Sequence, residues 1–398
     1  MRTVKNIINL FFLLLGHLIP RSKRKIVFGA WDGNSYSDNP KFLFEYFFDH
    51  PEWRIVWIGC KQVKSTIPPL PSHASFAVRH SLKGMWHALT AGTWVFSHSP
   101  NDIAIVAVWG RALLVDVNHG AGFKKVGVES PSFINGERSV LDSFWSKVFS
   151  KNIYLTVSSR MQWQSLHDGF PKMFKDGRQL AFGSPALDFI INNKDNVNMI
   201  QAIRKELSRL FNLPGEKKWI VYAPTFRWLH ENNFSFQELE PVMQARLFAL
   251  LDKHNAVIVE KLHPHRVTAV SACKQGYIFT IGGSTASLIE PHMLWLAADA
   301  LISDYSSCVT AFYLQRKPVI HFAYDYEYYK EKDTGLVADL EDIRFGAVAY
   351  NLTSLFNVLE DIDSARNQSG RLTESLIEYE KGHSCEKCFD FIKAYFVT

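Results

Sequence analysis

The amino-acid sequence predicts an α/β protein with two doubly wound, Rossmann-like domains that face a central cleft. Strand-like apolar runs alternate with helical segments along the chain, which is the pattern of parallel sheets connected by helices. The chain has 398 residues, which is long for one hydrophobic core and favours two domains. Polar residues also follow several predicted strands, and ligands of doubly wound sheets bind beyond the carboxyl ends of the strands.

The predicted strands fall into two groups separated by a polar stretch. In the first half of the chain they span residues 26–31, 54–59, 93–97, 112–117, 153–157 and 180–182. In the second half they span residues 219–223, 256–261, 300–303 and 319–322. Residues 192–198, NNKDNVN, lie between the groups and are typical of a linker. We therefore expect an N-terminal domain at residues 25–190 and a C-terminal domain at residues 191–398.

An apolar run precedes the first predicted strand. It covers residues 7–19 and is followed by the basic cluster RSKRK at residues 21–25. The run is shorter than the about 20 residues that span a bilayer, and no small-residue cleavage site follows it. Two interpretations of the segment 1–24 stay open. It is either a helix at the membrane surface, where the basic cluster meets anionic lipid, or a helix that covers the core of the first domain.

Composition narrows the classes of partner. A hydrophobic content of 47% and a charged content of 21% are those of an ordinary globular protein. The formal net charge of +5 suits an anionic substrate or a membrane surface and is too small to predict nucleic-acid binding. The 5 cysteines show neither a disulfide framework nor the spacing of a complete metal site. We therefore expect a reducing cytoplasm, no metal and no cofactor.

Three predicted strands are followed by groups of polar and basic residues. The residues after the strand at 112–117 include Asn118, His119, Gly120, Lys124 and Lys125. The strand at 219–223 leads to Thr225 and Arg227, and the strand at 256–261 leads to His263. Lysine and arginine neutralise anions, and histidine exchanges protons near neutral pH. One histidine at a strand end is more often a simple hydrogen-bonding residue than a catalyst, but the repetition favours one shared site.

A further strand, at 300–303, ends in an acid, an aromatic residue and two serines, where a helix is predicted to begin. The serines are Ser306 and Ser307, and the acid is Asp304. A helix start offers unpaired N–H groups and the positive end of the helix dipole, which together suit a phosphate. Serine is also a preferred helix cap, so simple capping is the alternative. We interpret Asp304 as a residue that orients the loop, with a role as an alternative base less favoured.

These motifs, in this order, resemble the CDP-glycerol glycerophosphotransferases, the family of teichoic-acid and capsule primases and polymerases of the TagB and TagF type. The resemblance extends from residue 25 to residue 392. The segments that carry it are GNSYSDNPK at 33–41, LFEY at 43–46, HGAGFKK at 119–125, YAPTFR at 222–227, His-Pro at 263–264, ISDYSS at 302–307 and KPVIHFAYD at 317–325.

The resemblance implies a two-domain GT-B fold and the transfer of an alditol phosphate from a CDP donor to an acceptor hydroxyl, with release of CMP. It implies that His119 takes the acceptor proton and that His263 is a second required histidine. Donor or phosphate binding would fall to the C-terminal domain, through Thr225, Arg227, Asp304, Ser306 and Ser307. The N-terminal domain would take the acceptor, with acceptor-side or phosphate contacts from Asn118, Gly120, Lys124 and Lys125.

Several positions depart from the family pattern. Asn118 stands where the family usually has tryptophan, Ala-Gly at 121–122 replaces Thr-Pro, and Trp228 replaces an aspartate. These changes leave the reaction class better supported than the identity of the donated group. Glycerol phosphate, ribitol phosphate and other activated phosphates all stay open.

The leading expectation is a peripheral enzyme at the cytoplasmic face of the membrane that builds teichoic acid or a capsule polysaccharide on a glycan or lipid-linked acceptor. One alternative is a GT-B glycosyltransferase that uses a nucleotide sugar, which the nucleotide released would distinguish. Another is a binding module without catalysis, since a fold alone does not fix function. The presence of both histidines and both serines argues against that module.

Overall fold

The computed structural model describes residues 11–105, 108–120, 122–131, 153–171, 174–225, 234–261, 272–281 and 290–396 of the chain. The strands of the first domain are β1 (Ser22–Phe28), β2 (Arg54–Gly59), β3 (Ala74–Val78), β4 (Ala91–Phe96), β5 (Leu113–Asp116), β6 (Ile153–Thr156) and β7 (Gln179–Leu180). Within the described residues they form one parallel sheet of 7 strands in the order β3-β2-β1-β4-β5-β6-β7. Every residue of β4 is buried, as expected for a parallel strand covered on both faces.

Helices cover both faces of this first sheet. They include α1 (11–18), α2 (Asp38–Tyr46), α3 (Leu82–Thr90) and α4 (Arg160–Gly169). On one face α2 packs in a core that contains Phe28 and Trp57. On the other face α1 and α3 pack around Trp94 and Phe96. The exposed sides of α1 and α3 therefore lie on the same side of the molecule.

The second domain repeats this architecture. Its strands are β8 (Lys218–Tyr222), β9 (Ala256–Lys261), β10 (Ala272–Lys274), β11 (Ile278–Ile281), β12 (Ala300–Ser303), β13 (Val319–Phe322) and β14 (Ala347–Ala349). The helices that follow the first domain are α5 (Pro185–Asn193), α6 (Val197–Phe211), α7 (Pro241–Lys253), α8 (Pro291–Ala297), α9 (Val309–Leu314), α10 (Tyr326–Glu331), α11 (Leu340–Ile343), α12 (Leu352–Glu360), α13 (Thr373–Leu376) and α14 (Ser384–Tyr395). In the described residues the sheet order is β10-β11-β9-β8-β12-β13-β14, and β10 pairs antiparallel with β11 while the other pairs are parallel.

The two sheets confirm the predicted doubly wound α/β architecture. Each predicted strand overlaps an observed one, and both sheets place the polar strand ends at their carboxyl edges. The strands β3, β10, β11 and β14 were not among those predicted. The helix predicted to begin after the two serines is short: α9 ends at Leu314, and Arg316 adopts a left-handed φ of 57°.

Two segments connect the domains side by side. In α5, Ala186 belongs to the first-domain core and Leu187 to the second-domain core. The chain returns at Glu380, whose carboxylate accepts the N–H of Ser184 at 3.0 Å. After this return α14 packs on the first sheet and buries Phe389 in its core. The boundary near residue 190 stays a prediction.

The helix α1 presents apolar side chains on two faces. One face packs against the first-domain core through Phe12, Leu13 and Leu15, and Ile19, directly after the helix, contacts the same core. The other face is exposed, with exposed fractions of 61% for Phe11, 58% for Leu14 and 80% for Leu18. The inner face of α1 therefore covers the first-domain core, as one interpretation expected. The exposed outer face is compatible with the other interpretation, a helix at the membrane surface. Among the described residues, no helix combines the length and the apolar character needed to cross a bilayer.

The membrane-surface interpretation placed the basic cluster at 21–25 against anionic lipid, but two of its cations bind groups of the protein itself. The Arg21 guanidinium donates hydrogen bonds of 2.6 to 3.3 Å to the carbonyl oxygens of Gly16, Ala88, Ala91 and Val108. Lys25 is 4% exposed and donates to the hydroxyl of Thr90. These two cations hold α1 and β1 to the domain, because buried cations need hydrogen-bond acceptors. Lys23 and Arg24 are the exposed basic residues of the cluster.

Candidate active site

The loop after β5 carries His119 and is turned by Asn118. Asn118 has a left-handed φ of 57°, which asparagine tolerates better than most residues. Its N–H donates to Asp116 Oδ1 at 2.9 Å, and its side-chain oxygen accepts the N–H of His119 at 2.7 Å. Asp116 is buried, and burial raises its pKa well above the ordinary value. These contacts direct the chain away from the sheet edge, so that His119 is exposed.

The buried side chain of Asn39 holds the start of this loop. Asn39 lies in the first turn of α2 and donates from Nδ2 to the carbonyl oxygens of Val117 at 2.8 Å and Asn118 at 2.9 Å. Its Oδ1 accepts the N–H of Ala186 in α5 at 2.8 Å. The Asn39 side chain therefore forms its three hydrogen bonds with backbone groups of two other segments. Asn39 ties the His119 loop to α2 and to the segment that joins the domains.

Gln162 holds the end of the same loop. Its Nε2 donates to the carbonyl oxygen of Gly120 at 2.9 Å, and its Oε1 accepts the N–H of Ser158 at 2.6 Å. Gln162 belongs to the first turn of α4, where its own N–H is capped by the Ser159 hydroxyl at 3.0 Å. The side chain is 3% exposed. The His119 loop is thus fixed at both ends by buried amides.

A backbone carbonyl and a second imidazole orient the ring of His119. Nδ1 lies 3.2 Å from the carbonyl oxygen of Ser97, at the end of β4. Because a carbonyl oxygen only accepts, this contact places the proton on Nδ1 and the lone pair on Nε2. The ring also stacks on His98, with ring centres 4.0 Å and planes 8° apart. Nε2 is therefore the proton acceptor that the loop presents.

In the second domain, Asp304 organises the segment that we call the serine loop, residues 304–308. Its buried carboxylate accepts the N–H and hydroxyl of Thr225 and the N–H of Tyr305 at 2.6 to 3.1 Å. Its carbonyl oxygen accepts Nδ1–H of His321 at 2.7 Å, and His321 Nε2 accepts the N–H of Phe345 at 2.9 Å. Burial lowers the pKa of His321 to about 4, which keeps this ring neutral.

The two serines follow Asp304 and precede α9. Ser306 Oγ accepts the N–H of Cys308 at 3.5 Å, which is long for a capping hydrogen bond. The carbonyl oxygen of Ser307 accepts the Thr310 hydroxyl at 2.7 Å. Both serines are half-buried. Since α9 has only 6 residues, it aligns few peptide dipoles, and its start by itself is a weak anion site.

The His119 loop and the serine loop meet at Gly120. Gly120 has a φ of 137°, and a Cβ at this position would lie 2.3 Å from Ser307 Oγ. A real Cβ would overlap the serine, so glycine is required for this approach. The two loops are therefore in contact across the cleft. The exposed ring of His119 is adjacent in sequence to that contact.

Lys124 and Lys125 belong to a segment that pairs with the second domain. The N–H of Lys125 donates to the carbonyl oxygen of Gly335 at 3.1 Å, and Lys124 forms an antiparallel bridge with Leu336. Burial raises the pKa of the Cys308 thiol, and the charge of Lys124 opposes that rise. Lys124 is therefore within electrostatic reach of the serine loop.

Most of the predicted site residues meet in this cleft. The described residues that the structure brings to its two sides are Asn118, His119, Gly120, Lys124, Lys125, Thr225, Asp304, Ser306 and Ser307. Arg227 and His263 lie outside the described residues. Across the described ranges, no group of three or more His, Cys, Asp or Glu side chains is arranged to hold a metal ion. The cleft can accept a proton beside hydroxyl donors and lysine charge, which suits the transfer of an anionic group.

Sequence reasoning missed three residues that shape the site. Asn39 lies inside the GNSYSDNPK segment, so the motif marked its position without showing its role. His98 follows a predicted strand directly, and the rule that strand ends carry functional residues would have included it. Gln162 carries no spacing signal, because its role depends on where α4 packs.

Comparison with known proteins identifies relatives of the whole chain. Residues 11–394 match the family described as CDP-glycerol:poly(glycerophosphate) glycerophosphotransferase. A teichoic acid glycerol-phosphate transferase of Staphylococcus aureus is 27% identical over 363 residues, which cover 87% of this chain and 86% of that protein. A teichoic acid glycerol-phosphate primase of Bacillus subtilis is 30% identical over 287 residues, which cover 70% of this chain and 67% of that protein.

A solved structure of the wall teichoic acid polymerase TagF has the same fold. It superposes with a TM-score of 0.77 at 22% identity, covering 98% of this chain and 93% of the TagF chain. The predicted GT-B arrangement is thereby confirmed. Because the family match spans both domains and every described residue of the cleft, the chain belongs to the CDP-glycerol:poly(glycerophosphate) glycerophosphotransferase family of enzymes.

Proposed function

We propose that this enzyme transfers glycerol phosphate from CDP-glycerol to a hydroxyl of a glycan or lipid-linked acceptor and releases CMP, in the synthesis of teichoic acid or a capsule polymer. The observation that carries the proposal is the contact between Gly120, beside His119, and Ser307. A proton acceptor of one domain and hydroxyl donors of the other are adjacent there. Membership of the family supports the donor class.

In the proposed reaction His119 is the general base. Its Nε2 takes the proton of the acceptor hydroxyl while the acceptor oxygen attacks the β-phosphorus of CDP-glycerol. The bond between that phosphorus and the bridging oxygen breaks, and CMP leaves with the electron pair. Glycerol phosphate stays on the acceptor as a phosphodiester. The contact between Nδ1 and the Ser97 carbonyl keeps the lone pair on Nε2 before the proton is taken.

The serine loop and the two lysines would bind the donor diphosphate. Ser306 and Ser307 offer hydroxyl donors, and Lys124 and Lys125 offer positive charge from the opposite side of the cleft. Stabilisation of the negative charge spread over the phosphoryl oxygens is the main requirement of this chemistry. Arg227 and His263 stay predicted contributors, as a phosphate ligand and a second catalytic histidine.

Asp304 fits a positioning role better than that of a base. Its two carboxylate oxygens already accept hydrogen bonds from Thr225 and Tyr305. Taking a further proton would break contacts that shape the serine loop. Asp304 and Thr225 therefore place the serine loop for the diphosphate, and His119 moves the proton.

The test is to incubate the purified enzyme with CDP-glycerol, CDP-ribitol and a set of nucleotide sugars, and to measure the nucleotide released. CMP from CDP-glycerol is expected. The His119→Ala variant should lower kcat by about 10²–10⁴-fold and leave donor affinity largely unchanged, because a base acts on the acceptor proton. His254→Ala is the control, since its ring bonds the carbonyl oxygen of Leu359 in α12.

Two outcomes would contradict the proposal. Release of a nucleoside diphosphate from a nucleotide sugar would indicate a glycosyltransferase. A His119→Ala variant that keeps more than about a tenth of the wild-type kcat would remove the base role, because general bases contribute at least about 10²-fold.

We also propose that the outer faces of α1 and α3 bind the cytoplasmic surface of the membrane. Phe11, Leu14 and Leu18 of α1 are exposed, as are Leu82 and Trp86 of α3, at 93% and 61%. Both helices cover the same face of the first sheet. Clustered exposed apolar side chains mark interaction surfaces, and tryptophan favours the headgroup region of a bilayer. Such binding would hold the cleft in the same layer as a lipid-linked acceptor.

Sedimentation with anionic vesicles tests this membrane contact. Replacing Phe11, Leu14 and Leu18 with serine, or Leu82 and Trp86 with serine, should lower the bound fraction and leave Tm unchanged, because these side chains are exposed. Leu13→Ala is the matched control: it should lower Tm, since a buried leucine costs about 2–5 kcal/mol when truncated. A wild-type bound fraction in both serine variants would contradict the proposal.

A further inference from the structure

We infer that His98 is a positioning residue for His119: its ring fixes the plane of the His119 ring so that Nε2 meets the acceptor hydroxyl. The inference rests on the proposed role of His119 as the base. It is carried by a cluster of three rings in which His98 stacks face to face on His119, while Trp31 lies tilted against His98 with its ring centre 6.3 Å from that of His119. The ring centres of Trp31 and His98 are 4.3 Å apart, and those of His98 and His119 are 4.0 Å apart.

The ring of His119 needs a second constraint besides its hydrogen bond. The contact between Nδ1 and the Ser97 carbonyl fixes one atom at 3.2 Å and leaves the ring free to swing about that contact. His98 covers one face of the ring at an interplanar angle of 8°, which removes that swing. Since small misplacements of a reacting group are costly in rate, holding the ring plane contributes to turnover.

His98 is itself held on several sides. Its N–H donates to Asp102 Oδ2 at 3.0 Å, and its Nδ1 lies 2.8 Å from Ser97 Oγ. Trp31 packs against it at an angle of 56°. Asp102 is fully buried and also accepts the N–H of Ser97 at 3.0 Å. The ring under His119 is therefore part of a rigid support at the end of β4.

The charge state of His98 suits this role. Burial lowers the pKa of His98, and the neighbouring charge of His119 lowers it further, so the His98 ring stays neutral. When His119 takes the acceptor proton, its charge then faces a neutral aromatic surface. Two protonated rings at 4.0 Å would repel each other instead. The support thus tolerates both protonation states of the base.

Steady-state kinetics of the full-length enzyme with CDP-glycerol test the inference. His98→Ala is expected to lower kcat by about 10-fold and to leave the donor KM unchanged, because the ring positions the base and does not contact the donor. His98→Phe should recover kcat to within about 3-fold of wild type, because a flat ring restores the stack. His98→Leu fills the volume without a flat ring and should resemble His98→Ala.

His50→Ala is the matched control, and it should leave kcat unchanged. The His50 ring stacks on Phe389 with centres 3.9 Å and planes 24° apart, outside the cleft. Thermal melts of all variants separate folding defects from positioning. In a His119→Ala background, His98→Ala should add no further loss of kcat, because the ring it positions is gone.

The outcomes distinguish this inference from the role of His119. An active His119→Ala variant would remove the base role itself. If His119→Ala is inactive and His98→Ala has the wild-type kcat, the positioning inference is overturned. It is also overturned if His98→Phe is as impaired as His98→Leu, because a flat ring would then not be what matters.

Discussion

Replacing Asn39 tests whether the loop that carries His119 is held from α2. The Asn39→Ala variant leaves three backbone groups without their partner: the carbonyl oxygens of Val117 and Asn118 and the N–H of Ala186. Asn39 is 1% exposed, so water does not readily replace the lost amide. Each buried group left unpaired costs about 1–3 kcal/mol, so the three together cost at least about 3 kcal/mol.

The Asn39→Asp variant separates the two functions of this amide. Aspartate keeps an acceptor for the N–H of Ala186 and replaces Nδ2 with an oxygen that faces two carbonyl oxygens. The α5 contact should therefore persist while the start of the His119 loop is displaced. We expect kcat to fall by about 10-fold or more, because displacement of a reacting group by about 1 Å can cost 10²-fold.

The assay combines a thermal melt with kcat for CMP release at saturating CDP-glycerol. Asn351→Ala is the control, because Asn351 caps α12 by accepting the N–H of Ser354 at 2.9 Å and lies in the second domain. It should lower stability by about 1 kcal/mol and leave kcat unchanged. A wild-type kcat in both Asn39 variants would refute the reasoning, even if their Tm were lower.

Three further predictions concern the cleft and the segment that joins the domains. Gly120→Ala should lower kcat for CMP release about 10-fold or more, because the overlap with Ser307 would keep the loops apart; a wild-type kcat would mean that close approach is not needed. Ser306→Ala and Ser307→Ala should each raise the donor KM and lower kcat, with a loss in kcat/KM that corresponds to roughly 1–3 kcal/mol; unchanged KM and kcat would mean that both serines only cap the helix. Burial raises the pKa of Glu380 from 4.5 to about 7, so the folded state favours its protonated form and stability falls as pH rises through that window. Melts at low and neutral pH should show a loss of about 3 kcal/mol that is absent in Glu380→Gln; equal pH dependence in both proteins would contradict this assignment.

The central strands could be predicted because parallel strands buried on both faces read as continuous apolar runs. Three of the four missed strands, β3, β10 and β14, lack that signal. In β3 only one residue is fully buried, because the strand lies at the edge of its sheet. β10 and β14 have 3 residues each, which is too short for a periodic pattern. Edge position and length explain these three omissions, whereas β11 is buried at all 4 residues and lies between β10 and β9, so its apolar run was overlooked rather than missing.

Some residues of the candidate site could also be predicted from the sequence, and others could not. His119, Ser306 and Ser307 could be predicted because they follow strands, and strand ends of doubly wound sheets meet at one cleft. One of the two interpretations of the N-terminal segment placed Arg21 against lipid, yet Arg21 binds four carbonyl oxygens. Three of those oxygens, on Ala88, Ala91 and Val108, belong to segments distant in sequence, so no local pattern distinguishes a surface cation from this one. Asn39 owes its role to the same kind of distant contact.

Because α14 packs on the first sheet, the core of the first domain is completed only when the end of the chain has been synthesised. The described strands of the second domain lie between Lys218 and Ala349, so they are synthesised before α14. Until then Phe47 and Trp53 lack Phe389, whose ring centre lies 5.3 Å and 6.2 Å from theirs in the finished protein. The nascent chain therefore carries an incomplete first-domain core after the described strands of both domains have been synthesised. Any chain that stops before Ser384 would leave this apolar face open to chaperones and proteases.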